Sequence, residues 1–579
     1  MKNSIHNPFN ITGLDQPIHA WVSQFTGWLS PSAFLLSYSD WLLHLGNSVE
    51  KWLDVSQNAT QHYTEFMLYV LRSFQHHDCE PCIEARPTDK RFQSDLWKRI
   101  PFNFYAQLFL VNEKIWNEVT TNVRGLSKHH ENLVNFSTRQ ILDIFSPSNF
   151  AWLNPDVLDA TIKNSGMNFI NGFNNWIEDI TLYINKQPPV GTEKFLVGKD
   201  VAITPGKIIF RNHLIELIQY TSSTQKVYAE PILIVPAWIM KYYILDLSPT
   251  NSMVKYLVDQ GHTVFMISWR NPTSEDRDLG MEDYVNSGIL SAIDSINQII
   301  PKQKMHAVGY CIGGTLLMIT AAYMAKKKDD RLKSITLFAA QIDFKDAGEL
   351  LLFIDESQLT YLEDIMWEKG YLDGLQMAGA FSMLNSIDLI WSRIILDYLL
   401  GERRPINDLM AWDYDTTRMP YKMHSEYLRN LFLNNALVEG HYKINNITLS
   451  LLDIDVPMFV VSTLRDHVAP WKSVYKVHTF TATDITYVLT NGGHNSGVVN
   501  EPGHSGRSFQ LLKHKKEDKY HSPEHWQDIA PQIEGSWWPM WEKWLANFSG
   551  EKISPPELGN PTNGIKIICD APGTYVFQK

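Results

Sequence analysis

Positive charge is in short supply: 51 Lys and Arg face 63 Asp and Glu, leaving a net charge of −12. Without a cationic excess there is little to displace counterions from a phosphate backbone, so nucleic acid is excluded as the principal partner. A local basic site for a phosphorylated small-molecule carrier is still allowed. Cysteine is scarce as well. Four of them (Cys79, Cys82, Cys311, Cys569) in 579 residues make no disulfide framework, which fits a reducing compartment. No apolar run approaches the roughly 20 residues that a membrane-spanning helix requires. Met1 to Asn7 lead into no apolar export segment, so a cytoplasmic location is expected. Internal repeats are also missing.

Aromatic residues, by contrast, are plentiful: 19 Trp, 24 Tyr and 27 Phe make up 12% of the chain. Large cores and amphipathic helices account for such a content. So does contact with an apolar surface or product. The length suggests two or three domains. Residues 1–195 read as a helical N-terminal domain, with helix-length segments around Leu42–Leu45, Phe66–Leu71 and Leu96–Val123. A loop from Cys79 to Lys90 interrupts them, and Gln187-Pro188-Pro189-Val190-Gly191 reads as a linker.

From residue 196 to 579 the pattern changes. Short β-branched runs occur at Ile232–Val235, Thr263–Trp269, His306–Gly309, Ile335–Ala339, Met458–Ser462 and Ile485–Leu489. Helix-length segments at Ser252–Gln260, Met281–Ile300 and Gly314–Lys326 separate the early ones. Such alternation predicts a largely parallel sheet covered by helices on both faces. A long aromatic segment at about 344–445 breaks the rhythm and reads as a helical cap inserted between core strands.

The chemistry is concentrated in Gly309-Tyr310-Cys311-Ile312-Gly313-Gly314, which follows a strand-like run and precedes a helix-like one. G-x-nucleophile-x-G between strand and helix is the nucleophile elbow of α/β-hydrolases, here with Cys at the centre. Glycines are needed where side chains would collide with adjacent backbone. The helix start favours a thiolate. An elbow predicts an acid and then a base later in the chain. Asp466 follows the run Met458–Ser462, and His494 follows Ile485–Leu489. His494 is expected to take the Cys311 proton and Asp466 to orient His494. His467, beside Asp466, is an alternative base, ranked lower because acid and base normally come from different loops. The N–H of Ile312 is the expected first oxyanion donor, with a second from Trp238 or Ile239 after the run Ile232–Val235.

These motifs resemble the polyhydroxyalkanoate synthases, single-subunit type, over roughly residues 90–575. The matching text includes Lys241-Tyr242-Tyr243-Ile244-Leu245-Asp246-Leu247, Gly261-His262-Thr263-Val264-Phe265 and Ser268-Trp269-Arg270-Asn271-Pro272. It continues through the elbow, Asp466-His467-Val468, Gly493-His494 and Gly535-Ser536-Trp537-Trp538-Pro539. The family often reads Pro-Pro-x-Ile-Asn-Lys where this chain has Pro236-Ala237-Trp238-Ile239-Met240-Lys241. Its cap text Met383-Leu384-Asn385-Ser386-Ile387-Asp388 also lacks the Arg-Pro-Asn wording of relatives.

The resemblance implies a capped α/β-hydrolase fold and the triad Cys311, His494 and Asp466. It implies polymerisation of (R)-3-hydroxyacyl-CoA, typically 3-hydroxybutyryl-CoA, with release of coenzyme A and no separate cofactor or metal. It further implies a homodimer working on the surface of cytoplasmic polyester granules. A thioesterase or esterase using the same triad is the alternative activity. A non-catalytic granule-binding protein would keep the aromatic surface without needing the elbow. Cys79-Glu80-Pro81-Cys82, preceded by His76 and His77, is one C-x-x-C pair, too few ligands for a zinc site on sequence grounds.

Overall fold

A computed structural model describes residues 18–19, 29–75, 79–86 and 89–579. Its centre is a sheet that, among these residues, has eleven strands. In chain order they are β1 (Gly206–Arg211), β2 (Ile215–Tyr220), β3 (Ile232–Val235), β4 (Val264–Trp269), β5 (Met305–Tyr310) and β6 (Leu332–Phe338). They continue with β7 (Met458–Thr463), β8 (Ile485–Thr490), β9 (Ser508–His514), β10 (Gln532–Glu534) and β11 (Cys569–Asp570). The spatial order is β10-β9-β8-β7-β6-β5-β3-β4-β2-β1-β11.

The six strands from β8 to β4 are mutually parallel. They coincide with the six β-branched runs of the sequence, and β3, β4, β5, β7 and β8 are buried at every position. Continuous apolar runs are what a strand covered on both faces requires. The remaining five strands, on both flanks, pair antiparallel and were not expected from the sequence. Their patterns are broken by polar residues that only tertiary contacts satisfy. Glu216 on β2 is fully buried. It accepts the backbone N–H groups of Thr574 and Tyr575 at 2.9 and 3.0 Å and pairs with Arg211 at 2.5 Å.

The segment predicted as one helix over Met281–Ile300 is helical throughout but carries a π-type turn at Tyr284–Leu290. Before the sheet lie α1 (Pro31–Gly46), α2 (Val49–Gln75), α3 (Phe102–Thr120), α4 (Lys128–Ile144), α5 (Pro155–Lys163) and α6 (Met167–Ile184). Three of them, α1, α4 and α5, start on capping chemistry: the side chains of Ser30, Ser127 and Asn154 accept the first free N–H groups, with Pro at the head of α1 and α5. A buried Arg91 joins the Cys79–Lys90 loop to α4, reaching Asp89 and Asp143 at 2.6 Å each.

The segment between β6 and β7, the cap, is rich in helices, including Glu356–Lys369, Gly374–Leu384, Asp408–Asp413 and Tyr421–Glu426. The N-terminal helices pack on this cap. Gly172 of α6 sits so close to the Tyr398 carbonyl that a Cβ there would lie 1.9 Å from it. Arg403 of the cap reaches Asp179 and Glu178 at 2.7 and 2.9 Å. At the other end, Ser30 donates its N–H to Gln358 at 2.8 Å.

Candidate active site

Strand β5 delivers Cys311 to the carboxyl edge of the parallel sheet, and the helix Ile312–Lys326 carries the chain away. Cys311 has φ 54° and ψ −130°, a left-handed conformation that a side chain adopts only under constraint. The flanking glycines supply that constraint. A Cβ on Gly313 would stand 2.4 Å from the Val235 carbonyl, and one on Gly309 would stand 2.4 Å from Gly314 Cα. The end of β3 therefore presses directly against the elbow. Ile312 opens the helix, where backbone N–H groups have no intrahelical acceptor.

Asp466 and His494 meet from separate loops, after β7 and β8. His494 Nδ1 lies 2.8 Å from Asp466 Oδ2. The carboxylate also accepts Thr463 Oγ1 at 2.9 Å and the N–H groups of Val468 and Ala469 at 2.9 and 2.8 Å. Burial raises the Asp466 pKa, but His494 and these donors overcome it and hold the group below the ordinary carboxylate value. For His494 burial works downward, yet the Asp466 and Cys311 charges outweigh it and lift the imidazole well above its ordinary value. Thus Cys311, His494 and Asp466 form one interacting set. His467 is not among the hydrogen-bond partners of Asp466.

Cys311 opens onto a cavity, about 870 Å³ of empty space including its mouth, whose walls come mainly from the cap. Ile239 and Ile312 line it together with Cys311, and Leu350, Phe353, Met377 and Tyr427 are among the apolar and aromatic wall residues. Trp238 is buried, its ring packed on Trp269 and Tyr284, and its carbonyl accepts Thr417 Oγ1 at 2.5 Å. Ile239 and Ile312 thus share the cavity with Cys311, while the Trp238 side chain belongs to the core.

Sequence reasoning missed a hydrogen-bonded chain around these residues. Tyr310, just before Cys311, donates its hydroxyl to Asn495 Oδ1 at 2.6 Å. Asn495, just after His494, donates its amide to Asp413 of the cap at 3.1 Å. Each lies next to a motif residue or in the cap, and nothing in the sequence marks them as neighbours. The tryptophan segment after β10 has a definite task. Trp537 and Trp538 donate their indole N–H groups to the carbonyls of Gly497 and Val498, both at 3.0 Å, and so buttress the loop of His494.

Cys82 donates to Gln107 Oε1 at 2.9 Å, and burial pushes its thiol pKa up. His76 and His77 lie outside the described residues. Among the described residues no group of three or more His, Cys, Asp or Glu is placed to hold a metal ion.

Residues 88–257 match the family described as the N-terminus of poly-beta-hydroxybutyrate polymerase (PhaC). Residues 10–49 match a second N-terminal family of the same polymerase, and 230–501 match the alpha/beta hydrolase fold. A poly(3-hydroxyalkanoate) polymerase of Methylorubrum extorquens is 39% identical over 533 residues, covering 92% of this chain and 87% of that one. The polymerase subunit PhaC of Rhizobium meliloti is 36% identical, over 95% and 92% of the two chains. That of Cupriavidus necator is 35% identical, over 85% and 83%. With the elbow, the capped hydrolase sheet and the helical N-terminal part all accounted for, this chain is an enzyme and belongs to the poly(3-hydroxyalkanoate) polymerase family.

Proposed function

We propose that the protein polymerises (R)-3-hydroxyacyl-CoA, with 3-hydroxybutyryl-CoA as the expected monomer, through a thioester on Cys311. The observation that carries this reading is the placement of Cys311. It sits in a strained elbow, beside an imidazole backed by Asp466, and opens onto an apolar cavity.

The chemistry follows from these groups. His494 takes the thiol proton, and the Cys311 thiolate attacks the acyl carbonyl. The carbonyl oxygen becomes an oxyanion, for which Ile312 N–H at the helix start and an N–H at Trp238 or Ile239 are the candidate donors. Collapse breaks the bond to coenzyme A, whose sulfur leaves with the proton held by His494. One thioester has replaced another, so the step is close to neutral in free energy. In the second half, His494 accepts the proton of a 3-hydroxyl group, and that oxygen attacks the acyl thioester. The ester forms as the acyl bond to Cys311 breaks, and the Cys311 sulfur takes the proton back from His494. The chain, longer by one unit, is left on the coenzyme A of the attacking unit, ready to load onto Cys311 again. Asp466 keeps His494 oriented and supports its charged form. Water would divert the acyl group to free acid, and the apolar cap walls disfavour it.

In this reading the division near residue 195 separates a helical N-terminal domain from the catalytic domain. The protein works as a homodimer at the surface of cytoplasmic polyester granules. Among the described residues no helix is long and apolar enough to cross a membrane. Exposed apolar side chains on α2 and α6, such as Trp52, Leu71, Phe173 and Ile184, suit an apolar polyester surface.

Incubation with 3-hydroxybutyryl-CoA tests the activity. Insoluble polyester together with free coenzyme A is expected, and Cys311→Ala should lower coenzyme A release by more than about a thousandfold. Free hydroxy acid without polymer would assign a thioesterase instead. Undiminished release from Cys311→Ala would remove Cys311 from the mechanism.

A further inference from the structure

The cavity above Cys311 is apolar almost throughout, yet one wall residue is an imidazole with a ring nitrogen left unbonded. His424 lies on the helix Tyr421–Glu426, is 6% exposed and lines the cavity together with Cys311. Its Nδ1 is buried and makes no hydrogen bond. Native proteins seldom leave such an atom without a partner, and the exceptions call for a ligand or a functional reason.

The carbonyl oxygens of the two glutamines in the wall are already engaged. Gln358 Oε1 accepts the Ser30 N–H at 2.8 Å, and Gln376 Oε1 accepts the Asp373 N–H at 3.3 Å. Burial draws the His424 imidazole down to about 4, against the opposing pull of Glu363. Glu363 is itself occupied by Arg429 at 2.6 Å and by Ser425. The ring is therefore neutral near pH 7, with one N–H donor and one acceptor nitrogen. One helical turn further on, Tyr427 lines the same cavity and feels the charge of Cys311. Residues 424 and 427 thus share the helix face that borders the nucleophile's cavity.

We propose that His424 is the polar subsite of the acyl cavity and hydrogen-bonds the 3-hydroxyl of the hydroxyacyl group. The inference rests on the thioester mechanism above. A 3-hydroxyacyl chain carries two polar groups. Its carbonyl must lie at Cys311, which leaves the hydroxyl two carbons away to be satisfied within the cavity. Apolar walls would strip water from that hydroxyl without replacement, whereas a neutral imidazole can donate to it or accept from it. A subsite of this kind also selects against plain acyl thioesters, which fit an apolar cavity equally well but lack the hydroxyl.

The test compares 3-hydroxybutyryl-CoA with butyryl-CoA on the full chain. It measures the burst of free coenzyme A and the acyl mass gained by the Cys311 peptide. The wild-type protein should favour the hydroxylated substrate in the second-order rate constant for Cys311 acylation by about tenfold or more. His424→Leu should bring that ratio to within about twofold of unity, and His424→Gln, which restores donor and acceptor, should keep most of it. His424→Phe replaces the leucine variant should that one not fold. A ratio unchanged in the apolar variant, or near unity in the wild type, overturns the subsite and leaves the nucleophile standing. If the wild type neither releases coenzyme A nor acquires acyl mass on Cys311, the thioester mechanism falls and takes the subsite with it.

Discussion

At the scale of single residues, the Asp466–His494 pair is where burial and charge oppose each other most directly. Burial disfavours both charged forms, but each group stabilises the other's charge, so the carboxyl sits below its ordinary value and the imidazole well above. The depressed Asp466 contributes stability above its ordinary pKa, and this is lost as pH falls through the lowered value. The raised His494 contributes fully below about 6.5, and this is lost as pH rises through the raised value. Asp466→Asn should therefore lower the thermal midpoint most in the mildly acidic to neutral range, with the gap narrowing at both extremes. Thermal melts of both proteins across pH check this; a gap independent of pH would mean that the pair is not ionised. The positions of Cys311, Asp466 and His494 are legible in the sequence because each follows its own strand. Tyr310, Asn495 and Asp413 are not, since their hydrogen bonds join points more than 80 residues apart along the chain.

At the scale of elements, the elbow shows why a short motif can be read reliably. Its constraint is local: the backbone turns so sharply that Gly313 has no room for a methyl group against Val235 and Pro236. Gly313→Ala should cost about 2 kcal/mol or more, because the atoms it meets are backbone, and should also displace Cys311. Gly46→Ala, at a position with nothing within 4 Å, should change stability by less than about 1 kcal/mol. Denaturant melts with coenzyme A release separate the two; equal effects would discount the close packing at the elbow. The parallel strands were legible for a similar reason, as short β-branched runs. The flanking antiparallel strands were not, because residues such as Glu216 and Gln219 read as surface positions until Thr574, Tyr575 and Gly559 supply their partners.

Across the whole molecule, the N-terminal helices hold the cap from outside. Asn168 and Asn175 of α6 donate to the carbonyls of Leu399 and Asp397 at 2.9 Å, Arg403 grips Asp179, and His129 of α4 lies 3.2 Å from Asp355. The same cap segment supplies most of the cavity walls, so the helical part is linked to the active site through the roof above it. Arg403→Ala should speed amide hydrogen exchange in both α6 and residues 395–403 while leaving the central strands unchanged. Faster exchange confined to one partner would argue against a shared clasp.

The amino-acid sequence by itself determined the hydrolase sheet, the elbow with Cys311 and the order in which Asp466 and His494 follow it. These depend on local backbone geometry and on continuous apolar runs, which a linear text records. Only the tertiary structure decided which cap residues face Cys311, that His424 stands unbonded among them, and that the N-terminal helices rest on the cap. Those relations depend on how distant surfaces meet, and the spacing of residues along a chain does not encode such meetings.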